Sequence, residues 1–122
     1  MATVLTNGGE DWACRCMAQT DTDDAHFIDW GTGAGTAAKT DTDVFTVGGE
    51  ARAVGTVSVT GSGAAAKYQV VGTMTASAGK TITNAGNFEL STGANIVVHG
   101  DFTGIVLATN DRIEFTITID PS

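Results

Sequence analysis

The sequence predicts a mainly β protein, an antiparallel β-sandwich of about six to eight short strands with one short N-terminal helix. Short segments of alternating apolar and polar residues recur from residue 52 onward, separated by Gly, Ser and Asn. This alternation is typical of half-buried antiparallel strands, and two facing sheets would bury the apolar faces together. The composition favours the same class, because its 16 Gly and many Thr and Val residues suit strands and tight turns.

The last strand is the clearest. Four large apolar residues share one face of residues 112–119, and polar residues share the other: Ile113, Phe115, Ile117 and Ile119 alternate with Arg112, Glu114, Thr116 and Thr118. We expect the apolar face to lie in the core. The same reasoning predicts the other strands at 26–30, 52–60, 67–76, 81–90 and 95–99.

Glycine interrupts three of the predicted strands, at Gly55, Gly72 and Gly86. A glycine within a strand marks a bulge or a place where another part of the backbone comes close. We therefore expect bulges or a close approach of the two sheets at these positions.

Residues 7–18 carry the one helical pattern. Asn7 is placed to cap the helix, and Glu10 stands three residues later in the capping-box position. An apolar stripe follows on one face, formed by Trp12, Ala13, Cys16 and Met17. A helix this short needs tertiary contacts for its stability, so we expect it to dock on the strands.

We expect one domain over residues 1–122, in two parts. Residues 1–45 would form a mobile N-terminal arm with the helix and acidic loops, and residues 46–122 would form the sandwich core. Eight of the 14 acidic residues lie at or before Asp43, which concentrates negative charge in the arm.

The net charge of −8 argues against binding to nucleic acid or to anionic membrane surfaces, since both are bound through Lys and Arg clusters. We interpret the acidity first as a source of solubility, with a cationic protein partner as the alternative. The N-terminus has no basic stretch followed by a long apolar run. We therefore expect a soluble chain made in a reducing cytoplasm.

Cys14 and Cys16 are too close in sequence for an unstrained disulfide, so we expect two reduced, partly buried thiols. His26 and His99 have no further metal ligands at a recognisable spacing. We expect no metal, no cofactor and no catalytic triad, and therefore no enzyme.

Acidic clusters at 21–24 and 41–43 could in principle ligate calcium, but their spacing does not match an EF-hand. We interpret both as solvated loop charge. The glycine-rich run at 31–36 lacks the helix that a phosphate-binding loop requires, and SAGKT at 77–81 lacks the first glycine of a Walker motif.

The order of short motifs along the chain resembles a family of small virion proteins of tailed bacteriophages. The motifs that carry this resemblance cover nearly the whole chain: TNG at 6–8, HFIDWGTGAGT at 26–36, ARAVGTVSV at 51–59, YQVVGTMTA at 68–76, GKTITNAGNFE at 79–89 and HGDFTGIVLATNDRIEFTITI at 99–119. Ala85 stands where the family more usually has an acidic residue.

The resemblance implies a structural protein of the virion, most simply a capsid decoration (cement) protein. It would bind the major capsid protein at the capsid surface, stabilise the head and self-associate, as a homotrimer at local threefold positions. The alternative is a tail- or fibre-associated β-sandwich that binds a receptor or glycan. Trp30, Phe27 and Tyr68 are the candidates for its aromatic platform, although burial in the core is the simpler interpretation of all three.

Candidate residues for the partner interface come from the helix, the acidic link after it and the first strand of the motif HFIDW. They are Trp12, Asp21, Asp23, Asp24 and Trp30.

Overall fold

The computed structural model of the chain describes residues 2–19 and 24–120. Within these residues one α-helix and eight strands form two antiparallel sheets, which confirms the predicted fold class. The elements are β1 (Thr3–Leu5), α1 (Asn7–Met17), β2 (Phe27–Gly31), β3 (Ala53–Val54), β4 (Thr56–Thr60), β5 (Lys67–Thr75), β6 (Lys80–Phe88), β7 (Ile96–Leu107) and β8 (Arg112–Ile119).

The larger sheet has the strand order β1-β7-β6-β2-β3, and the smaller sheet has the order β4-β5-β8. Their inner faces enclose the main core. Ile28 and Trp30 of β2 are fully buried there against Val70 and Met74 of β5 and Ile82 of β6. Alternate residues of each strand point inward, so the period-two pattern in the sequence identifies which side chains form this core.

Two of the three interrupting glycines mark a close approach of the sheets, as expected. A Cβ on Gly72 would lie 2.7 Å from the Cδ1 of Ile28 in the other sheet and 3.2 Å from the Cα of Gly55. Gly86 differs, because its Cβ would meet the Val98 carbonyl on the neighbouring strand of the same sheet. Gly55 also separates β3 from β4, where the chain passes from one sheet to the other.

The N-cap of the helix lies one residue before the predicted one. Thr6 is the N-cap, and its hydroxyl accepts from the Gly9 N–H at 2.9 Å and donates to the Ile96 carbonyl at 2.6 Å. Asn7 is therefore not the cap, and Glu10 does not close a capping box but forms an ion pair with Lys39. The link from Thr6 to β7 decides the position of the cap, which local sequence alone does not reveal.

One face of α1 docks on the sandwich as predicted. Trp12 is buried and meets the Tyr68 ring edge-on at 5.3 Å between centroids, and Cys16 packs beside it. Met17 lies outside this stripe and is 77% exposed. Neither cysteine forms a disulfide, as predicted; Cys14, however, is exposed rather than partly buried.

The expected division into an N-terminal arm (1–45) and a sandwich core (46–122) does not match the structure. β1 pairs with β7, and β2 lies between β6 and β3 in the larger sheet. Removing residues 1–45 would thus remove a central strand with the buried side chains of Ile28 and Trp30. Truncation of this part is expected to unfold the domain.

One strand was not predicted, and another is longer than expected. β1 was not predicted, since three residues carry too little periodicity. β7 extends to Leu107 rather than ending at His99, although Gly100 and Gly104 interrupt its sequence pattern. Pairing with β6 on one side and with β1 on the other holds this stretch extended.

Replacing Ile117 with Asp is expected to destabilise the domain by about 2–4 kcal/mol, because the new carboxylate would lie without a partner among apolar side chains. Ile117 is half-buried and packs against both the main core and the cluster under α1. Denaturant unfolding measures the effect. Thr116→Asp on the exposed face is the matched control and should cost no more than about 0.5 kcal/mol; equal costs for the two variants would contradict the assignment of faces.

Candidate functional site

A long loop covers the outer face of the larger sheet. We call residues 32–52, between β2 and β3, the covering loop. Side chains that point outward from β2, β6 and β7 would otherwise face solvent, and the loop buries many of them. Beneath it lie three of the five polar or charged residues that are buried in the described part of the chain: Asp29, Asn84 and His99.

His99 forms the centre of this network. Its ring is fully buried, with Nδ1 2.7 Å from the Asp41 carboxylate and Nε2 2.9 Å from the Oδ1 of Asn84. The same Asn84 oxygen accepts from the Phe45 N–H at 2.9 Å, which fixes the orientation of the amide group. Both nitrogens of His99 thus contact polar side chains, one from the covering loop and one from β6.

The Asn84 amide ties the covering loop to the sheet. Its Nδ2 donates to the Phe45 carbonyl at 3.2 Å, so this one side chain binds both backbone groups of Phe45. The Phe45 ring packs edge-on against His99 at 4.6 Å between centroids. Thr83, the neighbour of Asn84, donates to the Gly33 carbonyl at the start of the loop.

Asp101 holds the loop at a second point. Its carboxylate accepts from the Ala37 N–H at 2.7 Å and from the Ala2 N–H at 3.2 Å. The bond from Ala37 is the main reason that the pKa of Asp101 lies below its usual value, and Ala2 adds to it.

A third anchor forms around Glu50 near the end of the loop. Its carboxylate accepts from the Trp30 indole N–H at 2.8 Å and from the Ser77 N–H and hydroxyl, each at 2.9 Å, and it pairs with Lys80. Burial on its own would raise the pKa of Glu50. The Lys80 ammonium and the Ser77 and Trp30 donors together outweigh burial and hold this pKa at about 2.

Arg52 closes the covering loop. Its guanidinium side chain is 7% exposed and lies 3.5 Å from the centroid of the Phe88 ring. It donates to the Leu90 carbonyl at 2.9 Å and to the Gly93 carbonyl at 2.6 Å, and it lies 3.7 Å from the Asp29 carboxylate. Burial raises the pKa of Asp29, and Arg52 partly opposes that effect.

These contacts define the chemistry that the network supports. Both nitrogens of His99 are occupied, its ring is fully buried, and Asp41 contacts it directly. General base catalysis needs a free nitrogen within reach of a substrate. The network instead fixes a long loop on a sheet through buried hydrogen bonds, which is a structural role.

The predicted interface residues do not form one surface. Trp12 is 7% exposed and Trp30 is fully buried, because each fills a gap between packed elements, so neither is available to a partner. Asp24 is exposed, and its carbonyl accepts from the His26 N–H at 2.9 Å. Asp21 and Asp23 lie outside the described residues.

The candidate aromatic platform is not assembled either, since Trp30 is covered and the other two rings are half-buried. Phe27 packs on the cluster of Val44, Phe88 and Ile96 under the covering loop. Tyr68 packs under α1, where burial, with a further contribution from the Asp24 carboxylate, raises the pKa of its hydroxyl to about 12.

Between the sheets, beside β8, lies a cleft of about 210 Å³. Ligand sites typically have about 300–1,000 Å³, so this cleft is smaller than those that hold a drug-sized molecule. Its lining combines apolar side chains with small residues and a threonine rim: Thr3, Ala85, Gly86, Val98, Gly100, Asp101, Phe102, Phe115, Thr116, Ile117 and Thr118.

Sequence reasoning missed the partners of His99. Asp41 and Asn84 are far from it in sequence, and the interpretation of Asp41 as solvated loop charge was wrong, since this carboxylate contacts the ring. Asn84 and Asn87 offered a local signal, because each lies within a strand where asparagine is uncommon. A polar residue in that setting indicates a buried hydrogen-bonding role.

Acidification is expected to destabilise the domain through Glu50. Its folded pKa of about 2 lies below the unfolded value of 4.5, so its contribution is present above pH 4.5 and is lost as the pH falls toward 2. The loss should reach roughly 2–3 kcal/mol, from about 1.4 kcal/mol per pKa unit. Denaturant unfolding between pH 6 and pH 2 measures it.

Glu50→Gln is the matched variant, because it keeps the size of the side chain and removes its titration. Its stability should fall less steeply with acid, although the lowered pKa of Asp101 leaves a residual slope of the same sign. Parallel pH profiles for the parent and the variant would contradict the role assigned to Glu50.

Among residues 2–19 and 24–120, no group of three or more His, Cys, Asp or Glu side chains is placed to hold a metal ion. No helix in the same ranges is long and apolar enough to cross a membrane. Comparisons with protein-family models, with curated proteins and with solved structures each gave no match.

Proposed function

We propose that this chain is a structural protein of a tailed-bacteriophage virion, a capsid decoration protein that binds the major capsid protein and stabilises the head. Sequence resemblance is the basis of this proposal. The position of the resembling motifs in the fold supports the proposal. HFIDWGTGAGT forms β2 and the start of the covering loop, and HGDFTGIVLATND contributes His99 and Asp101, which hold that loop.

The motifs therefore include several residues that fix the covering loop on the larger sheet, among them Asn84, His99 and Asp101. A decoration protein acts by mechanical reinforcement, which requires a rigid body repeated at many equivalent sites. The buried hydrogen-bonded clusters around His99 and Glu50 support such rigidity, since each is enclosed and joins the loop to the sheet at several points.

The number of copies per virion tests the proposal. Quantitative mass spectrometry of purified particles should give hundreds of copies, at a fixed ratio to the major capsid protein, because a shell repeats the same local site over its surface. Particles lacking the protein should assemble and then release their genome at a lower temperature. Trimers in solution would add support for seating at threefold positions.

A few copies per virion, labelled at the tail tip, would overturn the decoration role and support a tail- or fibre-associated binding module. Absence of the chain from purified particles would overturn both.

A further inference from the structure

The terminal strand β8 is the outer strand of the smaller sheet. The Ala76 N–H donates to the Asp111 carbonyl at 2.8 Å, and Thr75 lies opposite Arg112. In an antiparallel ladder this bond makes Thr75 and Arg112 a non-hydrogen-bonded pair, and the two kinds of pair alternate along the strand. The backbone N–H and C=O groups that point away from β5 are therefore those of Arg112, Glu114, Thr116 and Thr118.

Among the described residues, this edge has charged side chains at Arg112 and Glu114 but lacks a bulge, a proline and a neighbouring strand. β8 is eight residues long, contains no proline and pairs with β5 without a register shift. Within the described ranges, no strand lies on the other side of β8. Natural sheets commonly block such edges with proline, bulges or a covering element, because an open edge is a template for another strand.

The inner face of β8 is also incompletely covered. Its four apolar residues, Ile113, Phe115, Ile117 and Ile119, are each only half-buried. On the adjacent strand β5, Val70 and Met74 are 0% and 2% exposed. The apolar stripe of β8 thus lies beside a space that residues 2–19 and 24–120 do not fill.

That space is the cleft of about 210 Å³. Phe102 of β7 and Phe115 of β8 contribute aromatic walls, while Ala85 and Gly100 leave room by their small size. At about 30 Å³ per water, the cleft has the volume of about seven waters. This volume suits one or two apolar side chains rather than a drug-sized ligand. Thr3 of β1 also lines it, which places β1 beyond the edge of β8 on the facing sheet.

We propose that β8 and this cleft bind an extended segment of another protein, which pairs with β8 as a fourth strand of the smaller sheet. The segment would have apolar residues at alternate positions, to enter the cleft, and a net positive charge. Backbone pairing supplies affinity in this mode of recognition, and alternate side chains supply specificity. The net charge of −8 would steer a basic segment toward the chain and would oppose association of two copies.

A second folded copy fits the edge poorly. Two copies joined β8 to β8 would bring their β1 strands into the same space, because each β1 lies beyond its own β8. The four residues 20–23 are too few to form a donated strand. Shape and charge thus favour a separate, extended segment as the occupant. This inference does not rest on the proposed virion role.

The test uses the whole chain and a synthetic peptide, KVTVKVTVK, with KKVVTTVVK as a control of equal composition and broken alternation. Amide hydrogen exchange followed by NMR reports on each residue of β8. In the free protein the Arg112, Glu114, Thr116 and Thr118 amides should exchange fast, and the intervening amides should be protected. Only KVTVKVTVK should slow the four fast amides.

Two variants test the contributions of the β8 edge and of the cleft to peptide binding separately. Thr116→Pro removes an outward N–H without breaking a bond to β5, and it should weaken peptide binding by at least about tenfold. Thr116→Val keeps that N–H and should bind like the parent. Gly100→Leu should also weaken binding by filling the cleft; the Gly100 backbone is not in the left-handed region, and its Cβ would meet only Thr3 Oγ1 closely, at 3.1 Å.

Circular dichroism establishes that each variant is folded; should Thr116→Pro not fold, Gly100→Leu and the exchange pattern still decide. Unchanged affinity in Gly100→Leu, or in folded Thr116→Pro, would overturn the proposal. Protection at another edge, equal binding of the control peptide or no binding at all would do the same. The four amides could also become protected without peptide as the protein concentration rises. That result would identify a second copy as the occupant and would overturn the proposal as well.

Discussion

Replacing Trp30 with Ala is expected to lower the free energy of unfolding by about 4 kcal/mol, the largest effect of any single substitution proposed for this chain. The Trp30 side chain is fully buried in the main core, so truncation leaves a large cavity. It also removes the indole N–H that donates to Glu50. Urea unfolding followed by circular dichroism measures the loss.

Trp30→Phe separates the two contributions, because it keeps most of the packing and removes the donor. It should cost about 1–2 kcal/mol, as expected for a buried acceptor that loses one of several partners. Val54→Ala, at a side chain that is 70% exposed, should change stability by less than about 0.5 kcal/mol. If Trp30→Ala lowered the free energy of unfolding by less than Val54→Ala does, the place of Trp30 in the core would be contradicted.

Replacing His99 with Leu is expected to cost about 3 kcal/mol, because the partly buried Asp41 carboxylate keeps the Ala38 N–H but loses the imidazole ring, and Asn84 loses its contact with that ring. The effect should extend to the covering loop. The Phe45 N–H, which donates to Asn84, should lose protection from hydrogen exchange.

Asp41→Asn/His99→Leu is the informative control. If an unpaired buried charge causes most of the loss, this double variant should recover at least about 1 kcal/mol relative to His99→Leu. Tolerance of His99→Leu, with stability and Phe45 exchange both unchanged, would show that the network does not hold the loop.

The sequence by itself determined the fold class and the inner face of the sandwich. Alternation along residues 112–119 and 67–76 identified the strands, because a strand that is half-buried must place apolar residues at every second position. Gly55 and Gly72 marked the close approach of the sheets for a similarly local reason, since a Cβ there would collide with the facing side chains. Trp12 and Cys16 likewise predicted the docking face of α1.

Only the tertiary structure decided how the first third of the chain is used. Charge and turn residues predicted a mobile arm, yet β2 is a central strand and the covering loop is fixed by His99, Asn84, Glu50 and Arg52. Each of these contacts joins residues far apart in sequence, so no local pattern encodes it. The cleft beside β8 is of the same kind, because it exists only where a sheet of five strands extends past a sheet of three. Periodicity reports which face of a strand is buried, whereas the number of strands in each sheet and the pairing of buried charges depend on the assembled whole.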